Sequence, residues 1–290
     1  MNIIPFDDRD GFIWLNGKLV AWRDAKLHVM SHGLHYASSV FEGERTYNKK
    51  IFKSREHSER LHRSGELLGF KIPYTVDQLE AAKAEVLKAN GVNNAYVRAF
   101  AWRGSEKMAI SASNTTIHTA IATWEMPTYF AEELKAKGLK LCWADYRRPS
   151  PETAPSAAKA AGLYMICTIS KHKAEAGGFH DALMLDYRGY VAEATGANFF
   201  MVVNGELHTP TPDCFLNGIT RLTIIELAKK AGIKVVERHI KPEELSTAQE
   251  AFLTGTAAEI TPIGSIADYK FTPAGVTHRL VKDYETLTRS

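Results

Sequence analysis

Cysteine is scarce in this 290-residue chain: Cys142, Cys167 and Cys214 stand far apart, and no Cys-x-x-Cys occurs. An odd, scattered set argues against a disulfide framework or a cysteine-based metal finger, and suits reduced packing thiols of a cytoplasmic protein. Charge of one sign is also missing. With 36 basic side chains against 33 acidic ones, the formal net charge is only +3, too weak a field to make nucleic acid or an anionic membrane the main partner. No apolar run approaches the roughly 18 residues that span a bilayer. The opening MNIIPFDDRDGFIWLNGKLV puts acids where a secretory signal needs basic and then apolar residues, so no such signal is expected. Internal repeats and low-complexity tracts are absent too. What remains, 45% hydrophobic and 24% charged, is a chain large enough for two packed cores and suited to a small-molecule partner.

The first third alternates short apolar runs with turn signals. FIWLNGKLVAW reads as strand, Asn16-Gly17 turn, strand, and GERTYNKKIFK reads the same way around Asn48. REHSERLHRSGELLGF places Leu61, Leu67 and Leu68 on a helix. TVDQLEAAKAEVLKANG makes a second helix, from a Thr75 cap to a stop at Gly91. AYVRAFAWRG and TIHTAIATW return to strand. This predicts an N-terminal α+β domain over 1–125, rich in antiparallel pairing. EMPTYFAEELKAKG has little periodicity and predicts an interdomain loop over 126–137. A second α/β domain over 138–290 follows, with a strand LKLCWAD, a proline-rich loop RRPSPETAPS and a hairpin DALMLDYRGYVAEATGANFFMVVNGELHTP. It also holds a helix carrying Lys159, a helix ITRLTIIELAKKAG, a strand KVVERHI, a short helix KPEELSTAQ and a strand EAFLTGT.

Four local features carry chemistry, each with a plainer reading beside it. Lys159, among small residues in PSAAKAAGLYMICTISKHKAE, is either a solvated lysine at the start of a helix or a reactive amine. In LNGITRLTIIELAKKAG, Asn217 can cap, Gly218 turns tightly, and Ile219 and Thr220 open a helix whose apolar face runs Leu222, Ile225, Leu227 and Ala228. The free N–H groups and positive dipole end of such a helix favour a phosphate, although capping alone explains the same residues. FLTGTAAEITPIG sets Gly255 and Thr256 after a strand, as a second side of one phosphate site or as a plain strand-to-helix turn. Glu193, in YVAEATGAN, faces solvent or pairs with a group that offsets its desolvation, such as a protonated ring nitrogen. An amine, a phosphate cradle and a carboxylate for a ring nitrogen are together what pyridoxal phosphate (pyridoxal 5'-phosphate) requires. No metal site is expected, because His57 and His62 in EHSERLH do not share a helical face and SHGLHY lacks a third ligand.

VMSHGLHYASSVFEGERTY, REHSERLH, AYVR, PSAAKAAGLY, GYVAEATGANFF, LNGITR and FLTGTAAEITPI, in this order, resemble the motifs of the class IV (fold type IV) pyridoxal phosphate aminotransferases, in particular the bacterial branched-chain amino acid group. The resemblance runs over about residues 10 to 265. It implies a two-domain α/β (α+β) fold with a smaller N-terminal domain, a larger C-terminal domain and the cofactor between them. It implies Lys159 as cofactor anchor and acid/base, Glu193 for the pyridine nitrogen and Tyr164 for the ring hydroxyl. Arg60, Ile219, Thr220 and Thr256 match the phosphate site. Tyr36, Phe41, Gly43, Tyr96, Arg98 and Tyr129 match the substrate pocket, with the backbone of Thr256 and Ala257 assisting at the α-carboxylate. In this family Tyr36 and the segment Met108 to Ile110 reach a neighbouring subunit, which implies a homodimer or higher homo-oligomer.

The implied reaction is reversible transamination between L-leucine, L-isoleucine or L-valine and 2-oxoglutarate in the cytoplasm, with Arg98 as candidate for the γ-carboxylate. Met126, Ala99 and RGSEKMAISASN depart from the enterobacterial pattern and bear on substrate range. A D-amino acid aminotransferase is the alternative on the same fold, but SSVFEG replaces its Asp-Gly pair and its Arg-x-His carboxylate trap is not found. Aminodeoxychorismate lyase, the other alternative, also usually lacks that form.

Overall fold

Asn16 and Gly17 take φ of 50° and 96°, and Asn48 and Lys49 take 49° and 69°. Two successive positive φ values make the two-residue turn whose twist matches a hairpin. The turns join β1 (Phe12–Leu15) to β2 (Lys18–Ala21), and β4 (Glu44–Tyr47) to β5 (Lys50–Ile51). In this computed structural model, which describes residues 4–126 and 132–289, the chain divides into two units. One is Met1–Pro127 with Ala158–Gly162, and the other is Thr128–Ala157 with Leu163–Ser290. The five residues around Lys159 therefore group with the first unit, although their flanks on both sides belong to the second.

Unit one is an antiparallel sheet of seven strands, completed by β3 (Ser39–Phe41), β6 (Ala95–Arg103) and β7 (Ile117–Glu125), in the order β2-β1-β7-β6-β4-β5 with β3 on β6. A one-turn helix, α1 (His32–His35), precedes β3. Val97, Ala99 and Ala101 of β6 join Trp14, Val40, Leu61, Leu79, Val86 and Ile121 in the core with α2 (Ser54–Leu67) and α3 (Val76–Asn90). Alternation then puts Tyr96 and Arg98 on the opposite face of the sheet. Helix α3 keeps both predicted ends. The Thr75 hydroxyl accepts the Gln78 N–H, Gln78 returns the bond to the Thr75 N–H, and Gly91 closes the helix at φ 64°. In α2, Leu61 is buried as expected, whereas Leu67 is exposed and Leu68 caps the end.

Unit two contains α4 (Glu132–Lys137), β8 (Leu139–Trp143), α5 (Met165–Ala176), β9 (Asp181–Leu185), β10 (Val191–Ala194), β11 (Asn198–Val203) and β12 (Glu206–Pro210). It continues with α6 (Ile219–Lys230), β13 (Val235–Arg238), β14 (Glu250–Gly255), β15 (Glu259–Ile266), β16 (Tyr269–Lys270) and α7 (Gly275–Arg289). The sheet runs β10-β9-β8-β15-β14-β11-β12-β13, with β16 on β15, and a further β10–β11 pairing closes six strands into a ring. Leu139, Leu141, Leu183, Phe199, Met201, Leu253 and Ile263 fill its core.

Three expectations are corrected here. Lys159 is not on a helix: its segment forms an extended bridge to β3 at Val40–Ala160, and α5 begins only at Met165. Within the stretch predicted as a loop, 127–131 lies outside the described residues and 132–137 is a helix whose Leu134 packs on the core of unit two. The turn after β14 leads into another strand, not a helix, because Gly255 and Glu259 pair across it.

Thr75→Ala removes the side-chain half of the α3 cap and should lower unfolding free energy by about 1 kcal/mol. Urea unfolding should show the shift as a lower midpoint at unchanged slope.

Candidate active site

Backbone bonds hold Lys159 on both sides. Its N–H donates to Ser64 Oγ of α2 at 3.0 Å, and its carbonyl accepts from the Phe41 N–H at 3.1 Å. Its ammonium sits 4.8 Å from the Phe41 ring centroid. On that same ring lies the Arg98 guanidinium, 4.7 Å from the centroid. Arg98 also donates to the Tyr96 phenol oxygen at 3.1 Å. Gly43 makes this possible, since a Cβ there would lie 1.9 Å from the Tyr96 hydroxyl. Phe41, Gly43, Tyr96, Arg98 and Lys159 thus form one cluster in unit one. Arg98, with Trp22, Ala122 and Trp124, also lines a cavity of about 830 Å³.

Arg60 is buried and directed by a residue that sequence reasoning missed. Its Nε and one Nη donate to the two oxygens of Glu42 at 2.7 and 2.8 Å, and His57 Nδ1 lies 2.6 Å from the same carboxylate. Burial works against an ionised Glu42, which is 1% exposed. Arg60 and His57 outweigh it and hold the carboxyl well below the usual carboxylate range. Lys159 feels the opposite balance. Burial, then the Arg60 cation, push its amine down to about 8, with Glu42 opposing. The available signal for Glu42 was its place between Phe41 and Gly43, inside a motif read only for its neighbours.

In unit two, Glu193 lies buried on β10. Its carboxylate accepts from Asn198 Nδ2 at 3.1 Å and faces Arg148 Nε at 3.4 Å. Burial works against the Arg148 charge, but Glu193 outweighs it and raises the guanidinium further. Of the two readings of Glu193, the paired one holds. Neither Arg148 nor Asn198 was singled out in the sequence. Tyr164 ends the turn before α5 and shares a cavity of about 310 Å³ with Gly196, Ala197 and Ala257. Gly218, not Asn217, is the N-cap of α6, and it makes no side-chain cap bond. Asn217 instead accepts from Arg221 at 2.9 Å. The first-turn N–H groups of Ile219 and Thr220 are thus left without a capping side chain, in a helix of 12 residues. The buried face of α6 is Thr220, Arg221, Thr223, Ile224, Ile225 and Ala228, while Leu222 is 42% exposed. Thr256 and Ala257 form the β14–β15 turn.

Tyr36 and the 108–110 segment lie together on unit one. His32 stacks on Tyr36 at 4.6 Å, and its Nε2 is 3.1 Å from the Ala109 carbonyl oxygen. Tyr36 is 47% exposed and Ile110 87%. Tyr129 falls outside the described residues.

A family model described as amino-transferase class IV matches residues 39–266. The chain is 41% identical over 294 residues to a probable branched-chain-amino-acid aminotransferase of Rickettsia felis, with all of both chains covered. Among solved structures it resembles the Escherichia coli branched-chain amino acid aminotransferase, with a TM-score of 0.93 and 36% identity over 97% of this chain and 95% of that one. The branched-chain amino acid aminotransferase of Thermobaculum terrenum, solved in its PLP-form, gives a TM-score of 0.88 and 29% identity over 96% of this chain and 94% of that one.

Two outcomes check the unit-one cluster. Labelling of Lys159 by an amine-specific reagent should rise with pH around 8, well below the ordinary lysine range of about 10.4. Arg60→Ala removes a repelling cation and frees the Glu42 anion, so mass spectrometry of the labelled peptide should show that midpoint move upward.

Proposed function

The chain belongs to the amino-transferase class IV family, and we propose that it catalyses reversible transamination between L-leucine, L-isoleucine or L-valine and 2-oxoglutarate with pyridoxal phosphate as cofactor. The observation that carries the substrate reading is the Phe41 ring with Lys159 on it at 4.8 Å and Arg98 at 4.7 Å. An apolar side chain gains about 1.5 to 3 kcal/mol by leaving water for such a surface. A γ-carboxylate finds a guanidinium at the same ring. One pocket can then take both partners of the exchange in turn.

The residues fit the cofactor. Lys159 offers an amine of lowered basicity, Glu193 a buried and compensated carboxylate, and the start of α6 uncapped N–H groups suited to phosphate. When bound, the cofactor supplies an electron sink for charge developing at the substrate Cα. Lys159 anchors the cofactor and, as a free amine, takes the proton from that Cα. Glu193 holds a proton on the ring nitrogen, and Tyr164 hydrogen-bonds the ring hydroxyl. Arg60, Ile219, Thr220 and Thr256 bind the phosphate. Tyr36, Phe41, Gly43, Tyr96, Arg98, Tyr129 and Ala257 receive the substrate. These assignments are supported by matched family motifs and, for all but Tyr129, by the local geometry of each unit.

A homodimer is supported by the exposed apolar surface of Val29, Leu34, Tyr36, Met108 and Ile110, of a kind that single soluble chains seldom leave uncovered. A cytoplasmic setting is supported by three unbridged cysteines. Among the described residues, no helix is long and apolar enough to cross a membrane.

The visible spectrum of the purified holoenzyme tests the reaction. L-leucine should remove the band of the lysine-bound cofactor, and 2-oxoglutarate should restore it. A band that L-leucine leaves unchanged would refute the substrate reading and direct attention to D-alanine and the lyase substrate. Lys159→Ala should abolish turnover. Arg98→Ala should weaken kcat/KM for glutamate far more than for leucine; equal losses would remove Arg98 from the γ-carboxylate role.

A further inference from the structure

Asn198 opens β11, directly opposite Glu193 on β10, and is 5% exposed. Its carboxamide meets three partners. Nδ2 donates to Glu193 Oε2 at 3.1 Å and to the Leu216 carbonyl at 3.0 Å, while Oδ1 accepts the Gly218 N–H at 3.1 Å. Each partner demands one orientation, because a flipped amide would set oxygen against carboxylate and carbonyl, and NH₂ against an N–H. The fit at Gly218 is close enough that a Cβ would lie 2.2 Å from Oδ1. One rigid planar group therefore spans from the buried carboxylate to the residue that caps α6.

We propose that Asn198 is a positioning residue that sets the Glu193 carboxylate at a fixed distance and angle from the N-terminal turn of α6. This rests on the reading above, in which the carboxylate and the helix start hold the ring-nitrogen end and the phosphate end of one cofactor. That molecule is nearly rigid across its ring, so two anchors that drift apart lose one contact or the other. Backbone pairing alone places Glu193 near Asn198 but does not aim its carboxylate. The amide does so, while Arg148 bears on the other oxygen at 3.4 Å.

Two substitutions separate positioning from plain packing. Asn198→Asp keeps an oxygen for the Gly218 N–H but loses the donors toward Glu193 and sets a second carboxylate beside it. Asn198→Ala loses every bond. For both full-length variants, the pyridoxal phosphate dissociation constant is measured by fluorescence titration, the pH midpoint of the visible band by absorption, and the melting temperature by calorimetry. Arg148 and Cys167 act electrostatically on Glu193, Tyr164 and Cys214 act on Arg148, and Asp181 acts on Cys167. Burial pushes the two thiols up to about 11 and about 12, so they stay neutral through the measured range.

Positioning predicts a dissociation constant raised about tenfold or more in both variants, as for loss of a hydrogen bond to a charged group. It also predicts a midpoint shifted upward in Asn198→Asp, because an added anion stabilises protonated forms. Variants that melt earlier yet keep the wild-type dissociation constant and midpoint would reduce Asn198 to packing and overturn the proposal. Glu193→Gln is the control on the underlying reading. If it too leaves both quantities unchanged, the assignment of Glu193 fails and the proposal fails with it. If Glu193→Gln moves them and Asn198→Asp does not, only the role of Asn198 is lost.

Discussion

Glu193 and Asn198 face each other in the one register pair that joins β10 to β11, and that pair closes six strands of unit two into a ring. A closed ring leaves no free edge among those strands and satisfies their backbone groups internally. The same position carries a buried carboxylate, which costs several kcal/mol unless it is paired. Arg148 and the Asn198 amide supply the compensation, and Asn198 passes the constraint on to Gly218 and α6. Strand closure, charge compensation and helix placement therefore meet at two residues.

Unit one solves a related problem by alternation along an extended segment. Successive residues of a strand point to opposite sides, so Phe41 can lie under Lys159 and Arg98 while Glu42 receives Arg60 and His57. Gly43, next in line, admits the Tyr96 hydroxyl. Three consecutive residues thus supply an apolar surface, a buried anion and an opening. Lys159 is fastened to the same segment through the Phe41 N–H and the Val40–Ala160 bridge, so the backbone that carries the amine is tied to the backbone that carries the ring.

Local structure was legible where its causes are local. The Asn16-Gly17 and Asn48-Lys49 turns and both ends of α3 follow from residues within four positions of each other. The residues proposed for the site, Lys159, Glu193, Arg60 and the Gly-Ile-Thr helix start, stand in an ordered series of motifs, and the structure sets Lys159 beside Phe41 and Glu193 beside Arg148 and Asn198. What failed depends on distant contacts. Lys159 sits among helix formers, yet its N–H goes to the Ser64 hydroxyl and its carbonyl accepts from the Phe41 N–H, so neither joins a helical ladder. Asn217 looked like a cap, but Asn198, 20 residues earlier, holds the Gly218 N–H and shifts the cap by one residue. Glu42, Arg148 and Asn198 were passed over because each acts by holding another side chain. Helix α7 was overlooked although Thr277, Leu280, Tyr284 and Thr288 recur on one face.

Two lysines of unit one show why residue type alone does not mark an active amine. Lys83 is buried, and its ammonium donates to Glu44 at 2.7 Å, Ser58 at 2.8 Å and Glu80 at 3.1 Å, with the Ser54 hydroxyl and carbonyl completing the shell. Such a shell fixes the position of the side chain, which makes Lys83 a strut between α3, α2 and β4. Around Lys159 the neighbours are an aromatic face and two guanidinium groups, with one carboxylate already claimed by Arg60. Burial and the Arg60 cation lower the amine to about 8, so a larger share than in an ordinary lysine is neutral, the form that can act as nucleophile or base. Both side chains are withdrawn from water. What surrounds each one, set by contacts far apart in the chain, separates Lys83, a brace of the fold, from Lys159, the amine proposed to react.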